Sequence, residues 1–350
     1  MRWRRLIPAL LFALLLAACG SAPVTIAPTS APAAAPEAPA PTSAPAAVAP
    51  APTDAYPRTV SDGTGRELTL AQRPERVVAL YNDNFGMLAT LGILPVGVLA
   101  NPEMLSDPIY FGDAGNEIHA VKYGDSIDIE DVAGLRPDLI MAYSIEEAQA
   151  MEGIAPVYIP PQPANLAQLY DHLRNVATLF ALESQAEEAI TAFQSRYEAY
   201  QSLAPKDISV LKLAAMDDQA FYVSTIDDPL CQILNSLAQC DWQKATPDEY
   251  WGYETNIEGV LALDPDVIIL NNWSSASRED TLAALADDPL WNELQAVQNG
   301  RVLGTPGYEN PIASSLPAAQ KFLDTYMPLI YPEVFPAALT EAQVQEIAGN

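Results

Sequence analysis

The chain has 350 residues, of which 49% are hydrophobic and 18% are charged, so it can build a large core or two lobes. Aspartate and glutamate number 45 against 17 lysines and arginines, which gives a formal net charge of −28. Such an acidic chain is not expected to bind nucleic acid or anionic lipid.

The first 18 residues are predicted to be a signal peptide. Three arginines precede an apolar run at residues 6–16, which is too short to remain as a membrane-spanning helix. The sequence LAACG at Leu16–Gly20 resembles the lipobox of bacterial lipoproteins and implies lipidation of Cys19. Ordinary secretory cleavage after Ala18 is the alternative. We expect an extracytoplasmic protein that is anchored to the cell membrane only through this N-terminal lipid.

A linker and a first lobe follow. Residues 19–56 are almost entirely Ala, Pro, Ser and Thr, which predicts a lipid-anchored, semi-extended linker. From residue 57, short apolar runs alternate with helical segments, a pattern typical of a largely parallel sheet. We place an N-terminal α/β lobe at residues 57–163, with the strand sequences RVVALYND, PVGVLA, IHAVKYG, DLIMAY and APVYIP.

The middle of the chain has a different pattern. Residues 164–204 lack strand signals, and apolar residues at three- and four-residue steps predict a helix at Glu183–Leu203, roughly 30 Å long. Strand signals return in residues 205–350, in SVLKLAAM, AFYVS, DVIILNNW and RVLGTP. The predicted fold class is α/β, with two Rossmann-like lobes joined by a long bridging helix and a ligand cleft between the lobes.

A twelve-residue motif occurs once in each predicted lobe. Ile129–Ile140 reads IEDVAGLRPDLI and Ile257–Ile268 reads IEGVLALDPDVI, with seven identical positions. Asp128 and Asn256 precede the copies and are favoured N-caps, so each copy predicts a capped short helix, a Pro-Asp turn and a strand.

Each copy places a glutamate, Glu130 or Glu258, in the first turn of its helix. In an α/β lobe this turn lies at the carboxyl edge of the sheet, where ligands also bind, so the two glutamates should project from corresponding rims. One interpretation is that each glutamate only complements the helix dipole, and the other is that it meets a partner.

Several stretches together resemble a known family. They are RVVALYNDNFGMLATLGILPVGVLA, the paired motif, the IAPVYIP strand and WNELQAVQNGRVLGTP, and they span residues 58–327. They are similar to the helix-bridged substrate-binding proteins of ABC importers for ferric siderophores, haem and cobalamin, with the siderophore branch favoured by GILPVGVLA. The resemblance implies a monomer that docks Glu130 and Glu258 into arginine pockets of two permease subunits.

The ligand site is expected in the loops at the strand ends of both lobes, where aromatic side chains are frequent. The predicted ligand-binding residues are Tyr81, Asn82, Asn84, Tyr123, Tyr143, Tyr250, Trp251, Tyr253, Trp273 and Tyr308. Ordinary loop packing is the alternative for any single aromatic residue.

The sequence predicts no metal site or cofactor of the protein itself. The two histidines, His119 and His172, lie far apart, no H-x-x-x-H or CxxC pair occurs, and His172 falls in a helical pattern that suggests a structural role. Iron, if it is the cargo, would arrive as a pre-chelated ferric ion. Cations near the cleft are few (Lys122, Lys244 and Arg278), which favours a neutral or cationic complex such as a ferric hydroxamate over an anionic catecholate.

Cys231 and Cys240 are the remaining cysteines of the exported chain, and a disulfide between them is left open. Nine residues of straight helix would separate them by roughly 13 Å, so a bridge requires the helix in CQILNSLAQC to end and turn back.

The predicted function is the lipoprotein substrate-binding component of an ABC importer, which captures a ferric siderophore, of hydroxamate type on the charge argument, and delivers it to the permease. A cobalamin- or haem-binding protein of the same family is the alternative. An extracellular α/β hydrolase is disfavoured because the chain has no G-x-S-x-G motif, and no enzymatic activity is expected.

Overall fold

The computed structural model describes residues 55–100, 102–124, 126–161, 165–240, 242–243, 252–274, 276–304 and 315–349. The predicted signal peptide, Cys19 and nearly all of the predicted linker lie outside these residues, as do Lys244, Tyr250, Trp251 and Tyr308.

The N-terminal part of the described chain is a hairpin followed by a five-stranded parallel sheet. Its strands are β1 (Arg58–Ser61), β2 (Glu67–Leu70), β3 (Val77–Leu80), β4 (Gly97–Leu99), β5 (His119–Ala120), β6 (Leu139–Met141) and β7 (Val157–Tyr158). Strands β1 and β2 pair with each other, and the sheet order is β5-β4-β3-β6-β7. The chain therefore adds β4 and β5 on one side of β3 and then returns to add β6 and β7 on the other side, as in a Rossmann-type sheet.

Four helices belong to this part of the chain: α1 (Asn82–Thr90), α2 (Pro102–Leu105), α3 (Ile129–Gly134) and α4 (Ile145–Met151). Alternate residues of β3 belong to two different clusters of the core, with Val77 and Ala79 on one face and Val78 and Leu80 on the other. Both faces of the sheet are therefore buried, which explains why its strands read as continuous apolar runs. We call the parallel sheet and α1–α4 the first lobe.

Two long helices connect the lobes: α5 (Leu166–Phe180) and α6 (Glu183–Leu203). The predicted helix at Glu183–Leu203 is confirmed at both ends. Ala181 adopts a left-handed conformation (φ 55°) at the end of α5, and this ends the helix so that α6 can pack against it.

The second lobe contains strands β8 (Val210–Ala215), β9 (Phe221–Ser224), β10 (Gly252–Thr255), β11 (Val267–Asn272) and β12 (Val302–Gly304), and helices α7 (Pro229–Leu234), α8 (Ile257–Leu263), α9 (Arg278–Ala286) and α10 (Gln295–Gln298). The sheet order is β10-β9-β8-β11-β12, which repeats the order of the first lobe. The difference is β9, which runs antiparallel to both β8 and β10. The predicted fold class, two α/β lobes joined by a helix, is confirmed.

A buried ion pair lies in the central strand of the second lobe. Leu211 and Leu213 of β8 join the core on one face, so the side chain of Lys212 lies on the opposite face. Its ammonium group is 2.8 Å from a carboxylate oxygen of Asp228, and both side chains are buried. Asp228 also caps α7 by accepting the Leu230 N–H, so the pair fixes α7 to the sheet.

The last two helices are α11 (Leu316–Ile330) and α12 (Glu341–Ala348). The sequence assigns them to the C-terminal lobe, but in the structure α11 packs against α1 and α6, and α12 packs against α6. Lys321 of α11 also forms an ion pair with Asp107, 2.6 Å away, in the first lobe. The chain therefore returns to the first lobe after completing the second sheet.

Arg196 connects the bridging helix to these C-terminal helices. Its guanidinium is largely buried and donates to Asp324 at 2.9 Å and to the carbonyl of Leu339 at 2.7 Å. Tyr200, one turn later in α6, also donates to Asp324 and accepts the Leu339 N–H. Burial raises the pKa of Asp324, although Arg196 and Tyr200 act in the opposite direction.

Cys231 and Cys240 are joined in a disulfide, with an S–S distance of 2.11 Å and a Cα–Cα distance of 5.0 Å. The bridge is possible because α7 ends at Leu234 and the chain turns back. The side chain of Asn235 accepts the Cys240 N–H at 2.8 Å and holds this turn.

Candidate functional site

The repeated motif has the predicted structure in both lobes. The side chain of Asp128 accepts the Asp131 N–H at the start of α3, and Asn256 accepts the Gly259 N–H at the start of α8. Each helix is followed by a non-glycine residue with positive φ, which is Arg136 at 49° in the first copy and Asp264 at 38° in the second. The predicted unit of capped helix, turn and strand is therefore confirmed.

The aspartate of each Pro-Asp turn has the same role in both lobes. The carboxylate of Asp138 accepts the N–H groups of Glu75 and Arg76, at 2.9 and 2.8 Å, just before β3. Asp266 accepts the N–H and the hydroxyl of Ser209, at 2.8 and 2.7 Å, just before β8. Each aspartate thus joins the start of its own strand to the start of the neighbouring parallel strand.

Glu130 and Glu258 lie in the first turns of α3 and α8 and are exposed. Both helices begin at the carboxyl edge of their sheet. Helix α3 ends where β6 begins, at the amino edge of the first sheet, so its own start lies at the opposite edge. Helix α8 follows β10, which runs parallel to β8, so it starts where these two strands end. Within the described part of the chain, neither carboxylate has an ion-pair or hydrogen-bond partner.

Tyr81 lies at the carboxyl end of β3, directly before α1. Its backbone adopts φ 74° and ψ 154°, a conformation that non-glycine residues rarely adopt, and its N–H donates to the carbonyl of Leu99 at 2.8 Å. The hydroxyl donates to Oε1 of Glu147. Burial, this hydrogen bond and the charge of Glu147 raise the pKa of Tyr81 well above its usual range.

Two further tyrosines lie near Tyr81. Tyr143 follows β6, and its ring centroid is 5.1 Å from that of Tyr81, with the planes tilted by 52°. Tyr123 pairs with Ile127 in an isolated β-bridge and is 61% exposed, and Tyr143 is 50% exposed. The phenols of both tyrosines are close enough to raise the pKa of Tyr81. We call Tyr81, Tyr123 and Tyr143 the tyrosine edge.

The position of the tyrosine edge matches the general rule for α/β sheets. Ligands bind beyond the carboxyl ends of the strands, at the point where the strand order reverses. In the first lobe this point lies between β3 and β6, and Tyr81 and Tyr143 are the residues that follow these two strands closely.

The two predicted asparagines differ. Asn82 is exposed at the first position of α1. Asn84 is buried, and its side-chain amide donates to the carbonyls of Leu80 and Met141, at 2.7 and 3.4 Å. Asn84 therefore fixes α1 to the ends of β3 and β6, and its burial argues against direct contact with a ligand.

The corresponding edge of the second lobe carries Trp273, which follows β11 and is 46% exposed. The backbone N–H of Trp273 donates to the carbonyl of Ala215 at 2.8 Å, and its ring centroid is 5.2 Å from that of Tyr222. Tyr253, predicted in a loop, lies in β10 and packs partly buried against the core of the second lobe.

Tyr222 was not among the predicted site residues. In β9 the neighbouring residues Phe221 and Val223 point into the core, so the alternation of a strand turns Tyr222 to the other face. Gly252 allows this arrangement, because a Cβ atom there would lie 2.7 Å from the Tyr222 ring. The sequence AFYVS carries this alternation and could have identified Tyr222.

A family model for periplasmic binding proteins matches residues 77–309, which is more than half of the chain. The chain belongs to the periplasmic binding protein family.

Individual relatives of this periplasmic binding protein are distant but cover most of it. The uncharacterized ABC transporter substrate-binding lipoprotein YvrC of Bacillus subtilis is 23% identical, covering 81% of this chain and 88% of YvrC. The iron(3+)-hydroxamate-binding protein FhuD of the same organism is 25% identical, covering 67% of this chain and 74% of FhuD. The resemblance to substrate-binding proteins of ABC importers is confirmed, and the protein is not an enzyme.

A solved structure supports the fold. The triscatecholate siderophore binding protein FeuA of Bacillus subtilis, complexed with ferri-bacillibactin, aligns with a TM-score of 0.64 at 14% identity. The alignment covers 79% of this binding protein and 98% of FeuA.

The first-lobe edge of this binding protein is acidic. Lys122 is the predicted cation that the structure describes there, and its Nζ lies 3.5 Å from a carboxylate oxygen of Asp131. Asp131 also accepts from His119 and from the Lys122 N–H, and these bonds lower its pKa. The side chain of the predicted Arg278 lies outside the described part.

Among the described residues, the binding protein has no cluster of three or more His, Cys, Asp or Glu that could hold a metal ion. His172 lies in α5 and is only 1% exposed, so its ring is enclosed by the core and not available to a ligand. Burial lowers its pKa to about 4. No described helix combines the length and apolarity that crossing a membrane requires.

Proposed function

We propose that this periplasmic binding protein is the receptor of an ABC importer for a ferric siderophore, which it holds between the tyrosine edge and the Trp273 edge. The observation that carries the proposal is the tyrosine edge itself. Tyr81 and Tyr143 lie at the strand-order reversal of the first lobe, Tyr123 lies near Tyr81, and Tyr123 and Tyr143 are at least half exposed. Exposed aromatic rings suit a bulky organic chelate better than a small hydrated solute.

The chelate is proposed to be neutral or cationic, as ferric hydroxamates are. The first-lobe edge contains the carboxylates of Asp131 and Glu147, while its Lys122 is already paired with Asp131. A highly anionic catecholate would be repelled there. The name of FhuD, an iron(3+)-hydroxamate-binding protein, supports this assignment, and that of FeuA, which carries a catecholate, supports the broader class. Cobalamin and haem are the alternatives.

Ligand binding can be tested with the purified mature protein. We expect ferric hydroxamates to quench tryptophan fluorescence with saturation, and catecholates, haem and cobalamin to bind more weakly. Trp273→Ala should weaken binding about tenfold or more, because an exposed ring at the edge is lost. Trp291 is buried against Phe221 in the second-lobe core, so Trp291→Phe is the matched control for a lost indole. Absence of binding to every chelate would reject the proposal.

Glu130 and Glu258 are proposed to dock the loaded protein onto the permease. Both are exposed at equivalent positions and have no partner in the described part of the chain. Cys19 is proposed to carry the lipid that keeps the protein beside this permease, an assignment that the description of YvrC as a lipoprotein supports. Loss of radiolabelled palmitate incorporation in Cys19→Ser would test the anchor.

Docking can be separated from ligand binding by charge reversal. Glu130→Arg combined with Glu258→Arg should abolish chelate uptake by cells while leaving the affinity of the purified protein unchanged. Glu279 is also an exposed glutamate at the second position of a helix, α9, but it lies outside the repeat. Glu279→Arg should therefore leave uptake intact. Lost affinity in the double variant would place the glutamates in the ligand site instead.

A further inference from the structure

Glu147 uses its two carboxylate oxygens for different purposes. Oε2 accepts the N–H groups of Tyr143 and Ser144, at 3.0 and 3.3 Å, and the Ser144 hydroxyl accepts the Glu147 N–H at 3.2 Å. This reciprocal capping box at the start of α4 fixes the side chain of Glu147. Oε1 is left to accept from the hydroxyl of Tyr81.

The direction of the bond between Tyr81 and Glu147 follows from the hydrogens available. A carboxylate carries no hydrogen and can only accept, whereas a phenol has one hydrogen to donate. The hydroxyl hydrogen of Tyr81 is therefore turned towards Glu147. Donation uses the hydrogen and leaves the lone pairs of the Tyr81 oxygen unused, so the oxygen can act towards a ligand as an acceptor but not as a donor.

The surroundings hold this arrangement in place. The backbone of Tyr81 is bound at both ends, with its N–H on the Leu99 carbonyl and its own carbonyl accepting from Phe85. The Tyr143 ring, 5.1 Å away, packs against the Tyr81 ring. Burial raises the pKa of Tyr81 most, and the hydrogen bond to Glu147 and the charge of this carboxylate act in the same direction, so the phenol keeps its hydrogen.

We propose that Glu147 is a positioning residue that makes Tyr81 a hydrogen-bond acceptor, and that the tyrosine edge thereby selects chelates that present a donor, above all an ammonium group. The inference rests on the proposed function and adds to it the chemical group that the first lobe recognises. An ammonium group would meet a phenol lone pair beside a carboxylate, and a hydrogen bond with a charged partner is the stronger kind.

The test uses three ferric linear trihydroxamates that differ only at one terminus: a free ammonium group, the N-acetylated amide, and the N-succinylated, anionic form. For the wild type we expect the ammonium form to bind most tightly and the anionic form about tenfold or more weakly. Tyr81→Phe keeps the ring and removes the acceptor, so the order should be largely lost. Equal affinities in the wild type, or preference for the anionic form, would overturn the proposal.

Glu147→Gln changes the bond without changing the size of the side chain. The single oxygen of glutamine can keep the helix cap, and its NH₂ group then donates to Tyr81, whose hydrogen is released towards the ligand. Preference for the ammonium form should fall and the anionic form should gain. Glu146, the exposed neighbour in α4, provides the matched control, because Glu146→Gln removes the same charge without touching Tyr81. An equal effect of both substitutions would overturn the positioning role.

A ligand-free measurement separates this inference from the proposed function. Tyrosine ionisation is followed by absorbance near 295 nm, and the difference between wild type and Tyr81→Phe isolates Tyr81. Glu147→Gln should lower the pH at which Tyr81 ionises, whereas an unchanged ionisation would refute the donor direction. If none of the three chelates binds the wild type, the ligand preference fails, whereas the proposed function fails only if no chelate of the wider panel binds. The titration still decides the role of Glu147 in either case.

Discussion

His172 makes a prediction about stability and pH. Its side chain is 1% exposed in α5, and neither ring nitrogen has a hydrogen-bond partner in the described part of the chain. Burial disfavours the charged imidazolium and lowers the pKa from 6.5 to about 4. The unfolded chain therefore binds a proton below pH 6.5 that the folded protein accepts only near pH 4.

The sign and size of the effect follow from this difference. Above pH 6.5 the ring is neutral in both the folded and the unfolded chain, so its burial has no protonation cost. As the pH falls from 6.5 towards about 4, the unfolded chain gains a proton that the folded protein does not, and stability is lost. With one pKa unit worth 1.36 kcal/mol, this histidine alone should lower the free energy of unfolding by about 2 kcal/mol between pH 7 and pH 5, and by about 3 kcal/mol at pH 4. Urea unfolding curves at a series of pH values would measure it.

His172→Leu isolates the contribution from other titrating groups. Leucine has a similar volume and no polar atom to bury, so stability at pH 7 should change by less than about 1.5 kcal/mol. The fall between pH 7 and pH 5 should be about 2 kcal/mol smaller than in the wild type. His119, which is exposed and bonded to Asp131, supplies the control variant His119→Gln. An identical pH dependence of wild type and His172→Leu would refute the reasoning.

Three further predictions concern the fold, each measured by urea unfolding at pH 7. Arg196→Met should lower the free energy of unfolding by about 2–4 kcal/mol, because the partly buried Asp324 loses its cation and the buried carbonyl of Leu339 loses its donor, whereas Arg174→Met, which breaks an exposed pair, should cost less than about 1 kcal/mol. Asp266→Ala should cost about 1–3 kcal/mol, because it leaves the partly buried N–H of Ser209 at the start of β8 without its acceptor, whereas Asp138→Ala should cost about 1 kcal/mol or less, because water can replace the acceptor of its exposed bonds. Replacement of both disulfide cysteines by alanine should cost roughly 2–3 kcal/mol for a loop of this length. Equal losses in the two arginine variants, a larger loss in Asp138→Ala than in Asp266→Ala, or no loss without the disulfide would contradict these explanations.

The regular parts of the fold could be predicted because local signals agree with tertiary packing there. The bridging helix has an apolar face at helical spacing and Pro205 shortly after its end, and its bounds were predicted correctly. The parallel strands were recognisable because both of their faces are buried. The sequence does not predict β10, because GYET at a sheet edge has little apolar alternation, and it therefore places Tyr253 in a loop.

The candidate site was predictable in outline and not in its hydrogen bonds. Tyr81 and Tyr143 could be found because they follow predicted strands. Glu147 could be found only as the last residue of a local capping signal, S-x-x-E, which indicates a helix start and nothing about a ligand. Its bond to Tyr81 joins residues 66 positions apart and depends on the tertiary fold, which brings the start of α4 to the carboxyl end of β3. No local pattern carries that information.

The repeat offers a way to separate folding from function within one motif. Of its seven identical positions, the valine and the second isoleucine are fully buried in both copies, the leucine packs against the core, and Asp138 and Asp266 join neighbouring strands. The proline follows a residue with positive φ in both turns, and the first isoleucine begins each helix. Glu130 and Glu258 differ, because their exposed carboxylates have no hydrogen-bond or ion-pair partner in the described part of the chain. Any acidic residue in the first turn would interact favourably with the helix dipole, and α3 already has a second one, Asp131. The dipole alone therefore does not require glutamate at the same position in both copies. Identity of type and position in both lobes therefore supports the proposal that the two glutamates dock a partner that approaches both edges at once.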